Sequence, residues 1–406
     1  MEQWRRNLIV LWVGTVVAGI SFSIVSPFLP SLLEQVGATS NLEVWSGWAF
    51  SATFYTSALL YPVWGALADK YGRRPQLLRA GLGIGIVYLL MSIAKSPLQV
   101  VLLRLLLGVF NGFVPTAVAM VATNTPEEHM GSALGTIQTG YAFGSVFGPL
   151  VGGYLSYFLG IQNTLRVAGF SLFFATLICF LGTTEAVSGD RNVKINIPAD
   201  LRWAASKPLL LQMCMLVAIF NLSFNVIQPV LPLFIEQLVQ TGDPTVATGV
   251  IYAIAGFATV MAAPFWGRRG QRIGFTRVLR EGFLGAALIS FVLVLSSNLY
   301  MLGGLRFLFG LFMAAVMPAT NALIAKSVAP NFRSRALSFS GSLGQIGGAI
   351  GPVIGGYVGS LFGLATVFLV TGGFMLGLLL WMRRKQWDAQ ATQPSAAPSV
   401  VSSAGR

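Results

Sequence analysis

Apolar runs long enough to cross a lipid bilayer as helix follow one another along most of the chain, separated by short polar intervals. About 20 apolar residues make one crossing. Twelve such runs lie at roughly residues 8–33, 45–67, 80–94, 98–122, 133–158, 166–182, 208–235, 247–266, 282–297, 299–324, 336–359 and 364–382. The predicted class is an all-α membrane protein with twelve transmembrane helices, and an even number returns both termini to one side. The first run follows Arg5 and Arg6 as a signal peptide's apolar region would. It is too long for one and lacks a small-residue cleavage site, so we read it as a retained helix.

The pattern also repeats. "SIVSPFLPSLLEQ" (Ser23 to Gln35) matches "NVIQPVLPLFIEQ" (Asn225 to Gln237) at an offset of 202, setting Pro27 on Pro229, Pro30 on Pro232 and Glu34 on Glu236. Arg104 falls on Arg306 at the same offset, and "GSVFGPLVGGY" from Gly144 returns as "GGAIGPVIGGY" from Gly347 at an offset of 203. Duplicated six-span halves in parallel account for this. The expected organisation is an N-terminal six-helix bundle at 1–182, a cytoplasmic linker at 183–207, a pseudo-symmetric C-terminal six-helix bundle at 208–385 and a disordered tail at 386–406, rich in Ser, Pro and Ala.

Composition agrees with the pattern: 55% of residues are hydrophobic, 10% are charged and the mean hydropathy is +0.73, which excludes a soluble globular domain. Charge adds orientation. Of the 26 Lys and Arg residues, 22 fall in loops or tails on the side of the termini, and basic residues are retained in the cytoplasm, so both termini are expected there. Topology, with anionic lipid headgroups, thus explains the net charge of +13 better than nucleic-acid binding does. Cys179 and Cys214 fall within spans, and His129 is the single histidine, so neither a disulfide framework nor a metal cluster is expected. No GxxxxGK[ST] phosphate cradle occurs. No cofactor or enzyme activity is expected, and any transport must draw on gradients.

"GALADKYGRRP" (Gly65 to Pro75) after the second span, "LRLLLGVFNG" (Leu103 to Gly112) in the fourth and "GYAFGSVFGPLVGGYL" (Gly140 to Leu155) in the fifth, with "SPFLP" in the first, resemble the motif set of the major facilitator superfamily. The combination is similar to its twelve-span drug:proton antiporter family and to the multidrug exporters within it. The resemblance implies proton-driven efflux of hydrophobic or amphipathic compounds by alternating access, from a monomer in the cytoplasmic (inner) membrane. Alternatives are a carrier of a polar metabolite such as a sugar or phosphonate, working in either direction, or a membrane sensor or scaffold that moves nothing.

Each motif also has a physical reading. Gly140, Gly144, Gly148 and Gly152 share one helix face, and Pro149 removes a backbone donor. With Gly347, Gly351, Pro352 and Gly355 they offer smooth packing surfaces on which two bundles could rock, or else ordinary close packing. Asp69, with Arg73 and Arg74, could latch the cytoplasmic side through a helix end and through Glu127 or Glu128, or be solvated topology signals. In the second half Gln271 stands at the position of Asp69, so the latch is expected in the first.

Arg104 enters the fourth span from its outer end. It could pair with Glu34, and Arg306 with Glu236, in a proton-coupling switch, or both arginines could snorkel to the interface. None of the 13 acidic residues lies in the middle of a span. A mostly apolar cavity is therefore expected, lined by Phe22, Ser26, Asn111, Gln138, Tyr141, Asn225, Gln228, Asn321 and Gln345, or else these residues serve only interhelical packing.

Overall fold

The computed structural model describes residues 2–185, 207–328 and 333–384. The tail, most of the linker and the start of the loop before the eleventh span lie outside these residues. The described chain forms twelve spanning segments. The first comprises Gln3–Val25, a 3-10 turn at Ser26–Phe28 and Leu29–Gln35. Leu42–Tyr71 and Arg73–Met91 follow, then Pro97–Phe110 with Phe113–Asn124, then Glu127–Leu159 and Ile161–Gly182. The second half repeats the order: Pro208–Val226 with Leu231–Leu238, Pro244–Ile273, Phe275–Leu293, Leu299–Met313 with Val316–Ser327, Arg333–Phe362 and Thr366–Arg384.

The first, fourth, seventh and tenth spans are broken, each at an equivalent point in its half. Local chemistry differs at each break. Pro27 lacks a backbone donor in the first, whereas in the fourth Gly112 adopts φ +131°, a conformation that side chains disfavour. Asn111 bridges that break by accepting the Gly112 amide at 2.8 Å and donating to Ser57 Oγ at 3.0 Å.

Each half buries its own apolar core. One runs from Leu11 to Cys179 and the other from Leu210 to Met382. Outward-facing Leu59, Phe158, Phe170 and Leu361 are left exposed, which suits helices surrounded by lipid rather than water.

Inside each bundle, the glycine face of the fifth or eleventh span lies against the first or seventh. A Cβ on Gly144 would sit 2.7 Å from Gly19 Cα, and one on Gly148 2.9 Å from the Ile20 carbonyl. Gly152 meets the Ile24 carbonyl. Gly347, Gly351 and Gly355 meet the carbonyls of Ala218, Leu222 and Val226 in the same way. These faces therefore bind helices within a bundle and are not the rocking surface between bundles.

The next residues around the helix make that surface. A Cβ on Gly249 would lie 2.5 Å from the Pro149 carbonyl, and one on Gly153 2.8 Å from the Thr245 carbonyl. On the opposite flank, Gly47 meets the Pro352 carbonyl and Gly356 the Glu43 carbonyl, each at 2.5 Å. One step along a helix turns the side chain by about 100°, so each Gly-Gly pair serves its own bundle with the first residue and the other bundle with the second. Pro149 and Pro352 keep an interbundle role through their carbonyls.

All four crossings lie on the side away from the termini. Nearer the middle, Gly256 meets Val146 and Gly348 meets Phe54. Gly65, Gly131, Gly135, Gly267 and Gly341, toward the termini, face open space. The bundles are closed at one end and parted at the other.

Candidate functional site

Between the halves lies a cavity of about 690 Å³ lined from both bundles. Seven predicted residues line it: Phe22, Ser26, Asn111, Tyr141, Asn225, Gln228 and Gln345. Gln138 and Asn321 do not. Both are exposed on the terminus-side stretches of their spans, where the bundles part. Aromatic residues missed in the sequence complete the wall, among them Phe50, Phe54, Tyr88, Phe224 and Tyr252.

Arg104 and Arg306 also line the cavity, only 5% and 3% exposed. Neither snorkels outward and neither is ion-paired with Glu34 or Glu236 among the described residues, which corrects both readings of these arginines. Instead, Arg104 Nε donates to the Ala49 carbonyl at 3.1 Å, and its guanidinium lies 5.9 Å from the Phe50 ring centroid. Arg306 lies 5.4 Å from the Phe309 ring, and its Nε is buried without a partner. Glu34 and Glu236 are exposed at the closed end, near enough to each other for their charges to interact. Packing explains the difference: arginine side chains that turn inward find carbonyls, rings and a cavity, whereas the glutamates end helices at the surface.

Polar contacts hold the cavity wall in the first half. Thr53 Oγ1 donates to the Arg104 carbonyl at 3.0 Å, Thr56 Oγ1 to Leu105 at 2.7 Å and Trp64 Nε1 to Val109 at 2.8 Å. Arg79 stacks 3.6 Å from the Trp64 ring centroid and donates to the Val109 carbonyl at 3.0 Å, just before the break in the fourth span.

Of the expected latch, only part falls among the described residues. Asp69 lies in the last turn of Leu42–Tyr71, and its side chain lies outside the described residues. Arg74 lies over the Phe180 ring at 4.9 Å and donates to the Phe180 carbonyl, while Glu127 and Glu128 are exposed. Arg74 does not pair with those glutamates among the described residues. A residue missed in the sequence, Glu185, accepts the backbone amides of Arg73 and Arg74 at 2.6 and 3.1 Å. Free amides at a helix start attract a carboxylate, and Glu185 is the acid that the end of the sixth span delivers there.

The sequence profile described as Major Facilitator Superfamily matches residues 11–259 and 213–402. The chain belongs to the Major Facilitator Superfamily. Within the superfamily it is 36% identical over 380 residues to the multidrug resistance protein MdtG of Escherichia coli O17:K52:H18 (strain UMN026 / ExPEC), covering 92% of each chain. The MdtG of Escherichia coli (strain K12 / DH10B) is likewise 36% identical over 379 residues, with the same coverage. Among solved structures, a mutant of the nucleoside transporter NupG superposes with a TM-score of 0.81 at 12% identity, over 93% of this chain and 99% of that one. A bacterial homologue of the human lysosomal transporter Spinster, inward-facing and occupied, gives 0.77 at 15% identity, over 98% and 100%. These likenesses establish the superfamily's fold.

Proposed function

We propose that this chain is a secondary active exporter of hydrophobic or amphipathic compounds, driven by inward proton movement. One observation carries the reading: a largely apolar cavity, rich in aromatic rings, between two bundles that touch at one end and part at the other. Such a cavity suits small amphipathic organic molecules, with apolar walls for most of the solute surface and a few polar groups for orientation. Identity to MdtG supports efflux over import. The twofold arrangement supports alternating access over a static scaffold, because crossed close contacts at one end are what a rocking motion must release.

The excess of Lys and Arg on the terminus side supports cytoplasmic termini in the inner membrane, so the cavity opens here to the cytoplasm. Asp69 retains a proposed gating role for the state in which that side closes. Coupling through Glu34–Arg104 and Glu236–Arg306 pairs is not proposed. In proteoliposomes with an imposed pH gradient, a panel of radiolabelled amphipathic drugs should move against proton flow, and movement should stop when the gradient is collapsed. Movement indifferent to the gradient would remove proton coupling.

A further inference from the structure

An uncompensated guanidinium is the least expected group in this cavity. Arg306 is 3% exposed and makes no hydrogen bond among the described residues; its Nε is buried without an acceptor. The Arg104 side chain makes a single hydrogen bond among the described residues, to the Ala49 carbonyl. Among the described residues no Asp or Glu lines the cavity, although both arginines do. A charge buried in low dielectric is costly unless it is paired, and a buried donor left without an acceptor adds to the cost. The rings around the arginines offset little of this, since a cation–π contact is a weaker interaction than an ion pair.

We infer that the cavity is built for an organic anion, whose carboxylate, sulfonate or phosphonate group is held by Arg306 and Arg104 while its apolar body lies against Phe22, Phe54 and Phe224. This rests on the transport reading above and narrows its substrate class. The two arginines come from equivalent positions in opposite bundles, and both line the one cavity. Arg306 contributes the larger share, because Arg104 already spends one donor on a backbone carbonyl. The anion supplies the acceptors that the protein withholds.

The test uses the purified full chain in a nonionic detergent and three probes with one apolar body: naphthalene-2-sulfonate, naphthalen-2-ylmethanol and naphthalen-2-ylmethylammonium. By titration calorimetry the sulfonate should bind about tenfold or more tightly than the ammonium, the worth of a charge-assisted hydrogen bond. Arg306→Gln should weaken sulfonate binding by about tenfold and leave the alcohol within about twofold, while Arg306→Lys should fall between. Arg104→Gln gives a second, independent reading in the same direction. Neutralising an unpaired buried charge should not lower the melting temperature of the ligand-free protein. Equal or tighter binding of the ammonium, or sulfonate binding unchanged in both Gln variants, overturns the inference. If the alcohol is exported under a pH gradient but the sulfonate is not preferred, the anion site fails and efflux stands. If the sulfonate binds through Arg306 but no probe moves, efflux fails and the anion site stands.

Discussion

The two halves share a plan but hold it together differently. In the first, Thr53, Thr56, Ser57 and Trp64 all donate to carbonyls of the fourth span. At the matching positions the second half has Ala255, Ala258, Thr259 and Trp266, and only the last two make the equivalent bonds, to Gly310 at 3.2 Å and Leu311 at 2.7 Å. Where the first half has Arg79 stacked on Trp64, the second has Glu281 in a forked pair with Arg269 at 2.7 and 2.8 Å. The break in the fourth span is bridged by Asn111, and that in the tenth falls at Ala314 and Ala315, both buried. Duplication preserved the helices and the close packing, while polar fastening concentrated in one copy. In the first half more side chains fasten the fourth span, and in the second the buried Nε of Arg306 has no partner among the described residues.

The largest effect should come from the packing that both halves share. Gly144→Leu or Gly347→Leu forces a side chain into the backbone of the neighbouring helix, at a cost of several kcal/mol that no rotamer change relieves. Both variants should lose monodisperse protein in size-exclusion chromatography. Normal yield from either would show that the bundles repack freely.

Interbundle glycines should behave differently. In this closed-ended state Gly249→Leu and Gly47→Leu would meet backbone of the other half. They should fold, and shift the population toward opening on the side away from the termini. Labelling of a cysteine introduced at Ser26 by a membrane-impermeant thiol reagent from that side should rise in both variants. Loss of folded protein instead would place these contacts among the structural ones.

Fastening gives a smaller contrast. Arg79→Ala removes a ring contact and a hydrogen bond to the Val109 carbonyl, and should cost about 1–3 kcal/mol. Glu281→Ala breaks a pair whose side chains are 40% and 38% exposed, so it should cost about 0–1 kcal/mol. Melting temperatures in detergent read both, and equal losses would erase the proposed asymmetry. A similarly small effect is expected for Glu185→Gln, which keeps the acceptor and loses the charge beside the helix start: about 0.3–1 kcal/mol by the same measurement.

Much of this architecture was legible in the chain because bilayer crossing imposes length, and duplication prints the same prolines, glycines and arginines twice. The cavity was legible where uncharged polar residues interrupt apolar helices, as at Asn225 and Gln228. Tyr88 and Phe50 escaped notice because an aromatic residue in an apolar run carries no mark of the face it occupies. The glycine face declared that some helix comes close, but not which one; only the fold assigns Gly152 to the first span and Gly153 to the eighth. Glu185 sits in a polar interval without periodicity, so its reach to the third span had no signature. The arginine–glutamate pairs failed because helix-end proximity along an axis says nothing about which way a long side chain turns.

Alternating access about the crossed glycine contacts is the central claim, and distances across the two ends test it most directly. Spin labels at Thr39 and Gly242 report the closed end, and labels at Ser132 and Gly341 the parted end, with Cys179 and Cys214 replaced by Ser. Pulsed electron resonance in nanodiscs should show the first distance lengthening and the second shortening together as pH or substrate shifts the population. If both distances stay fixed under every condition in which the same protein exports substrate, the two bundles do not rock about these contacts.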